Sequence, residues 1–180
     1  MEFSIKKKIL LDCLSHFQSV VERRNTIPIL SNIKISAVEG GLTLTATDLI
    51  MELSESLPAK VSSSGGITIS SQLFFEIIRK APDNTDITLK VDEKSGSVFV
   101  LFGESKFSLP TLPVDDFPVM DAAKLDVILE LNSEELKNLL NNCKFCMGLD
   151  ESRQYLNGIY LHKNEDQVTT VATDGHRLSK

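Results

Sequence analysis

The chain has 180 residues, with 19 Lys and Arg against 25 Asp and Glu and a formal net charge of −6. At 42% hydrophobic and 24% charged it can bury a core and is not a disordered chain, and with no Trp and 6% aromatics it lacks the makings of an aromatic base-stacking platform. The longest apolar run, Val98 to Phe102, falls far short of the roughly 20 residues that span a bilayer, and Asp12 breaks the apolar stretch after Lys6-Lys7-Lys8, so neither a membrane span nor a signal peptide is read.

The first predicted element is a short strand, Glu2 to Ile5, with Phe3 and Ile5 on one face. Residues 8–22 place Leu10, Cys13, Leu14, Phe17, Val20 and Val21 at helical spacing, and Pro28 stops that helix. Alternation then predicts strands through Ile33/Ile35/Ala37, through Leu42/Leu44/Ala46 after the Gly40-Gly41 turn, and through Met51/Leu53. Ser62-Ser63-Ser64-Gly65-Gly66 reads as a loop. A second round follows: strand Ile67/Ile69, a helix from about Ser71 whose core face is Phe74, Phe75 and Ile78, then strands Ile87/Leu89/Val91, Val98/Val100/Phe102 and Phe107/Leu109. The order β-α-β-β-β thus occurs twice before residue 110. Pro110, Pro113 and Pro118 space out a linker around Asp115-Asp116, and a further unit begins near Leu125.

That further unit repeats the first in one gap-free register. Leu136, Leu140, Leu156 and Ile159 each follow Leu10, Leu14, Leu30 and Ile33 by 126 positions, and Ala172-Thr173-Asp174 repeats Ala46-Thr47-Asp48 at the same spacing. The expectation is a domain over 1–120 and the opening of a second copy over 121–180, the chain being a fragment of a longer protein.

Chemical motifs are sparse. Three cysteines, an odd number, point to reduced thiols in the cytosol. Cys143 and Cys146 have the spacing of a metal or redox site, yet the repeat puts them on Phe17 and Val20, so they read as buried thiols and no metal site is expected. Asp174-Gly175-His176-Arg177 lacks a partner nucleophile or second carboxylate; it is a strand-end turn, a binding surface where Gly175 admits another chain, or a catalytic pair Asp174/His176. His16 and His162 read as isolated surface residues, and the glycine pairs as turns. Leu73 and Ile77 widen the apolar stripe of the second helix, fitting either a deeply buried helix or a subunit interface. Arg23-Arg24 suits the C-terminal end of a helix dipole equally with a phosphate contact, and an acidic chain can still carry a few well-placed cations on one face.

Thr26-Ile27-Pro28-Ile29-Leu30-Ser31-Asn32-Ile33, Ala46-Thr47-Asp48-Leu49, Leu112-Pro113-Val114-Asp115-Asp116-Phe117-Pro118, Arg153-Gln154-Tyr155-Leu156-Asn157-Gly158 and Ala172-Thr173-Asp174-Gly175-His176-Arg177-Leu178 together resemble the bacterial DNA sliding clamp family, the beta subunits of DNA polymerase III, from end to end of the chain. The resemblance implies an α+β DNA-clamp fold, each domain two β-α-β-β-β units with two helices packed on antiparallel sheets. It implies three such domains per full chain, two chains closing head to tail around duplex DNA, and half of domain two with all of domain three missing here. The implied role is a non-catalytic, cytoplasmic processivity factor without cofactor. It holds DNA loosely and without sequence preference, which permits sliding.

By the same resemblance Arg24, Gln154 and Tyr155 face DNA, while Asp150 stands where the family has a polar, uncharged residue. Arg153, Tyr155, Leu156, Thr173, Gly175, His176, Arg177 and Leu178 form one wall of a hydrophobic cleft. That cleft takes a short terminal peptide of the polymerase alpha subunit, the clamp loader and repair proteins. Leu73, Ile77, Phe107 and Leu109 supply half of the subunit interface. Two other readings are a DNA-independent homodimeric scaffold built on Leu73/Ile77 and a hydrolase using Asp174 and His176.

Overall fold

The computed structural model describes residues 1–21, 26–92, 96–118, 120, 129–165 and 167–180. It divides into two compact units, Met1–Asp121 and Ala122–Lys180. Among the described residues no helix is long and apolar enough to cross a membrane.

Unit 1 opens with β1 (Glu2–Lys6) and α1 (Lys7–Phe17), a 3₁₀ turn at Pro28–Ser31, then β2 (Asn32–Val38), β3 (Gly41–Thr47), β4 (Glu52–Pro58) and β5 (Lys60–Ser63). The second round is β6 (Gly65–Ser70), α2 (Ser71–Lys80), β7 (Asp86–Asp92), β8 (Ser97–Phe102) and β9 (Ser105–Pro110), closed by a 3₁₀ turn at Val114–Asp116. Two antiparallel sheets result, ordered β5-β1-β7-β8-β9 and β4-β3-β2-β6. Each round lends its first strand to the other's sheet: β1 pairs with β7 and β6 with β2. The two β-α-β-β-β rounds therefore cannot come apart without breaking both ladders.

The alternation of the strands delivers Ile33, Ile35, Leu42, Leu44, Ile69, Ile87, Leu89, Val98 and Val100 to one interior, and Leu10, Leu14 and Phe17 of α1 with Phe74 and Ile78 of α2 close it. A buried lysine ties the helices' ends: Lys7 Nζ donates to the Ala81 carbonyl (2.6 Å) and to Asp83 Oδ1 (2.8 Å). The cation thereby loses water but keeps a partner and two acceptors.

Several expectations are corrected here. The first helix ends at Phe17, not at residue 22, because Ser15 and Ser19 hydroxyls bond back to Asp12 and His16 carbonyls and the Ser19 and Val20 amides tighten to three-residue spacing. The 62–66 segment is not a loop: Ser62 and Ser63 belong to β5, Gly65 and Gly66 to β6. Phe75 is only half-buried, its ring 5.9 Å from the Arg79 guanidinium. His16 is paired, its Nδ1 lying 2.9 Å from Glu55 Oε2 on β4, and His162 stacks on Tyr160 with ring centroids 6.0 Å apart. Near Glu55 the Cys13 thiol is pushed up to about 12, first by burial and then by that carboxylate, and stays protonated. Arg23 and Arg24, and the expected start near Leu125, lie outside the described residues.

Unit 2 carries α3 (Ser133–Lys144), a 3₁₀ segment at Glu151–Leu156 and a sheet of β10 (Tyr160–Asn164), β11 (Gln167–Thr173) and β12 (Leu178–Ser179) in that order. Asn132 caps α3 by accepting the Glu134 amide (2.9 Å), with Glu134 and Glu135 in its first turn and Lys144 in its last, the favourable polarity for the helix dipole. Cys143 and Cys146 are buried against Ala172, Met147 and Ile159, and the Cys143 sulfur lies 3.3 Å from the Thr170 hydroxyl and carbonyl. Leu140, the counterpart of the fully buried Leu14, is 37% exposed.

Candidate functional site

The repeated tripeptide folds into the same turn twice. At the end of β3, Asp48 Oδ1 accepts the amides of Ile50 (2.8 Å) and Met51 (2.7 Å), while the Thr47 hydroxyl accepts from Leu49 N and donates to the Met51 carbonyl. At the end of β11, Asp174 Oδ1 accepts the amides of His176 and Arg177 (both 2.9 Å), and the Thr173 hydroxyl accepts from Gly175 N and donates to the Arg177 carbonyl. Both turns need a left-handed residue at one position, occupied by Leu49 (φ 75°) in unit 1 and Gly175 (φ 91°) in unit 2. A half-exposed leucine there is strained, so Leu49→Gly should stabilise unit 1 by about 0.5 kcal/mol, the relief of left-handed strain exceeding the added chain entropy. A rise in the urea midpoint with an unchanged slope would show it; a fall would contradict it.

In unit 2 the turn meets a second device. Asp150 Oδ1 accepts the Ser152 amide (2.9 Å) and hydroxyl (2.7 Å), and Oδ2 accepts Arg153 Nε (3.2 Å). These bonds hold the Asp150 carboxyl below the usual carboxylate range, with the Ser152 hydroxyl and amide the leading causes. Asp150 therefore builds the loop's own turn. Arg153 has non-helical backbone angles, which kink the 3₁₀ segment. The Arg153 guanidinium lies near Gly175, 3.2 Å from where a Cβ would stand, but its flexible end can yield; what calls for glycine at 175 is the left-handed backbone, φ 91°.

The sequence-derived residues distribute as follows. Tyr155, Leu156 and Thr173 line a depression of about 280 Å³ with Gly158, Ile159, Tyr160, Val171 and Ala172. Arg153, on the 3₁₀ segment, and Gly175, in the β11–β12 turn, lie outside that lining; His176, Arg177 and Leu178 follow exposed, Leu178 at 66%. Gln154 is exposed and Tyr155 is 81% exposed. The Asp174 carboxylate is committed to two backbone amides and Arg177 Nε (2.9 Å) rather than to the His176 ring, which argues against the hydrolase reading. Of the interface candidates, Leu73 is exposed, Ile77 half-buried, and Phe107 exposed while stacked on Phe102 at 5.5 Å. Leu109, on the edge strand β9 opposite Val98, is 8% exposed in this chain.

The sequence reading missed a neighbouring depression of about 470 Å³ lined by Asn141, Lys144, Phe145, Met147, Leu149 and Arg177. Its signal was available: the unit 1 counterparts of Phe145 and Leu149 are Ser19 and Arg23, polar where unit 2 is apolar.

Asp174 titrates at about 2, well below its ordinary 3.8, chiefly because the Arg177 and His176 amides and then the Arg177 guanidinium favour its charged form. A lowered folded value means the turn's ionic support is complete above 3.8 and is lost as pH falls toward 2. A carboxyl NMR titration of Asp174 should show its midpoint near 2; a midpoint near 3.8 would contradict the geometry.

Residues 1–121 match the family profile described as DNA polymerase III beta subunit, N-terminal domain, and residues 130–180 match its central domain. The "Beta sliding clamp" of Caulobacter vibrioides is 42% identical across 99% of this chain, and that of Rickettsia felis 36% identical across 99%. The chain spans about half the length of the curated relatives it matches, 49% and 47% of these two. Among solved structures, a sliding clamp (DNA polymerase III subunit beta) from Bartonella birtlesii bound to griselimycin superposes with a TM-score of 0.93 at 39% identity, covering 99% of this chain and 48% of that one. The Caulobacter crescentus pol III beta structure gives 0.92 at 42% identity, over 99% and 49%. With both of its units matched in chain order, the chain belongs to the DNA polymerase III beta subunit family.

Proposed function

We propose that this chain is the N-terminal part of a DNA sliding clamp, a non-catalytic processivity factor that encircles duplex DNA and tethers the replicative polymerase. Residues 1–120 are its first domain and 121–180 the opening of its second, with a third domain further along the full-length protein. The observation that carries this reading is the match of residues 1–121 and 130–180, in chain order, to the N-terminal and central domains of the family. Beside that match, Tyr155, Leu156 and Thr173 line one partly apolar depression, and Leu178 is 66% exposed.

On this reading Leu156 and Leu178 bind apolar side chains of a short terminal peptide, and Arg153, Thr173 and Arg177 orient its backbone. The polymerase alpha subunit, the clamp loader and repair proteins present such peptides in turn. Griselimycin, bound in the Bartonella birtlesii structure, is a ligand to expect here too. Arg24, Gln154 and Tyr155 face DNA, and the exposed Leu73 and Phe107, with the half-buried Ile77 and with Leu109, contribute to a head-to-tail contact with a second copy.

Primer extension by the cognate polymerase tests this, with the chain extended to the length of its relatives and supplied with loader and ATP. Products should lengthen several-fold in a single binding event. Unchanged product length would count against the reading.

A further inference from the structure

We propose that the free edge of β5, with the depression beside it, docks an extended peptide strand that carries a carboxylate and an apolar side chain two residues apart. The site lies in unit 1 and goes beyond the reading of the β11–β12 turn, on which it does not depend. Lys6, Ile9, Pro58, Ala59, Lys60 and Asp86 line most of a depression of about 380 Å³. All of them belong to unit 1, whose residues 1–121 match the family's N-terminal domain.

The backbone supplies half of the site. β5 is the outer strand of the five-stranded sheet, with β1 as its partner there. The Val91 amide donates to the Met1 carbonyl (3.0 Å) and the Lys7 amide to the Thr85 carbonyl (2.9 Å), which turns the odd-numbered residues of β1 toward β7. Ser4 therefore turns its amide and carbonyl to Lys60, and Val61, opposite Phe3, turns its own away from β1. Among the described residues nothing pairs with that amide or that carbonyl. Ser62 and Ser63 follow exposed, with no proline or charge to turn a strand aside. An incoming antiparallel strand can exchange two hydrogen bonds with Val61.

The side chains supply the other half. Lys6 is spent on Asp86 at 2.9 Å, whereas Lys60 is exposed and makes no ion pair among the described residues. A lone lysine on an edge strand resists any strand that leaves it uncompensated, and it admits one that brings a carboxylate. That carboxylate belongs opposite Lys60, one residue after the partner of Val61. Two residues further, where β5 gives way to the corner at Pro58 and Ala59, an apolar side chain would meet Ile9, which is 36% exposed. A second copy of this chain would bring two unpaired lysines to one edge, and a nucleic-acid strand has no amide to give Val61.

The test is a ¹⁵N amide titration of the 180-residue chain with three peptides. They are acetyl-Thr-Thr-Asp-Thr-Leu-amide, acetyl-Thr-Thr-Lys-Thr-Leu-amide and acetyl-Thr-Pro-Asp-Thr-Leu-amide, the last lacking the amide that would donate to Val61. The first should shift the Lys60, Val61 and Ser62 amides and slow hydrogen exchange at Val61. The lysine and proline peptides should each bind about fivefold more weakly. Lys60→Glu changes one exposed side chain and should reverse the preference, the lysine peptide then binding better than the aspartate peptide. Equal binding of the three peptides, or an unchanged preference in Lys60→Glu, would overturn the proposal. Shifts at Lys60–Ser63 on concentrating the chain alone would assign the edge to a second copy and refute it. Loss of binding when the chain is extended to the length of its relatives would show the edge covered in the whole protein, which would also overturn it.

Discussion

Leu156→Lys should weaken capture of a partner's terminal peptide by about 30-fold or more, the loss expected when a central apolar anchor site is replaced by a cation that must be desolvated. Leu156 lines the 280 Å³ depression beside Tyr155, Ala172 and Thr173, where the proposed peptide would sit. Its structural duty is carried by the backbone, the carbonyl accepting the Gly148 amide at 3.0 Å, which any residue can do. The variant should therefore keep its fold while losing affinity. Fluorescence anisotropy with a labelled C-terminal peptide of the polymerase alpha subunit, alongside circular dichroism, separates the two effects. A loss under threefold with the fold intact would remove Leu156 from the site.

Phe117→Ala should cost unit 1 about 3–5 kcal/mol, the range for emptying a buried phenylalanine site. The counterpart of the Tyr155–Leu156 segment in unit 1 is Ile29–Leu30, and there the chain covers its own wall. Phe117 is 3% exposed in a cluster with Ile29 and Leu30, with Lys34 Nζ 5.8 Å from its ring. Leu112 is held by the Thr68 hydroxyl, which donates to its carbonyl (2.8 Å) and accepts from its amide (3.1 Å), and the 3₁₀ turn at Val114–Asp116 then delivers Phe117 to the wall. Residues 112–117 thus close this wall in unit 1. Urea unfolding followed by amide signals from each unit checks this. Unit 1 should lose its stability while unit 2 is unmoved, and a cost under 1 kcal/mol would show that the segment rests on the wall without holding it.

Much of this was legible because strand periodicity and the repeat are strong signals. Ile33, Ile35, Leu42, Leu44, Ile87 and Leu89 alternate cleanly and all point inward, and the shared register of Ala46-Thr47-Asp48 with Ala172-Thr173-Asp174 anticipated two copies of one hydrogen-bonded turn. What failed was local competition. Serine hydroxyls at 15 and 19 ended a helix that hydrophobic spacing extended to residue 22, and a serine-glycine run that looked like a loop pairs as two strands because its backbone groups find partners in β1 and β2. Of the proposed site, the sequence offered the residues but not their placement: the depression lined by Tyr155, Leu156 and Thr173 follows a 3₁₀ segment kinked at Arg153, which no spacing rule announces.

The claim that this chain is part of a ring threaded by DNA is tested most directly by retention on nicked circular DNA before and after linearisation. The chain is extended to the length of its relatives and loaded with clamp loader and ATP, in salt high enough to suppress simple ionic binding. The account predicts stable retention on the circle and loss on cutting it. Equal retention on circular and linear DNA, or none on either, would contradict it.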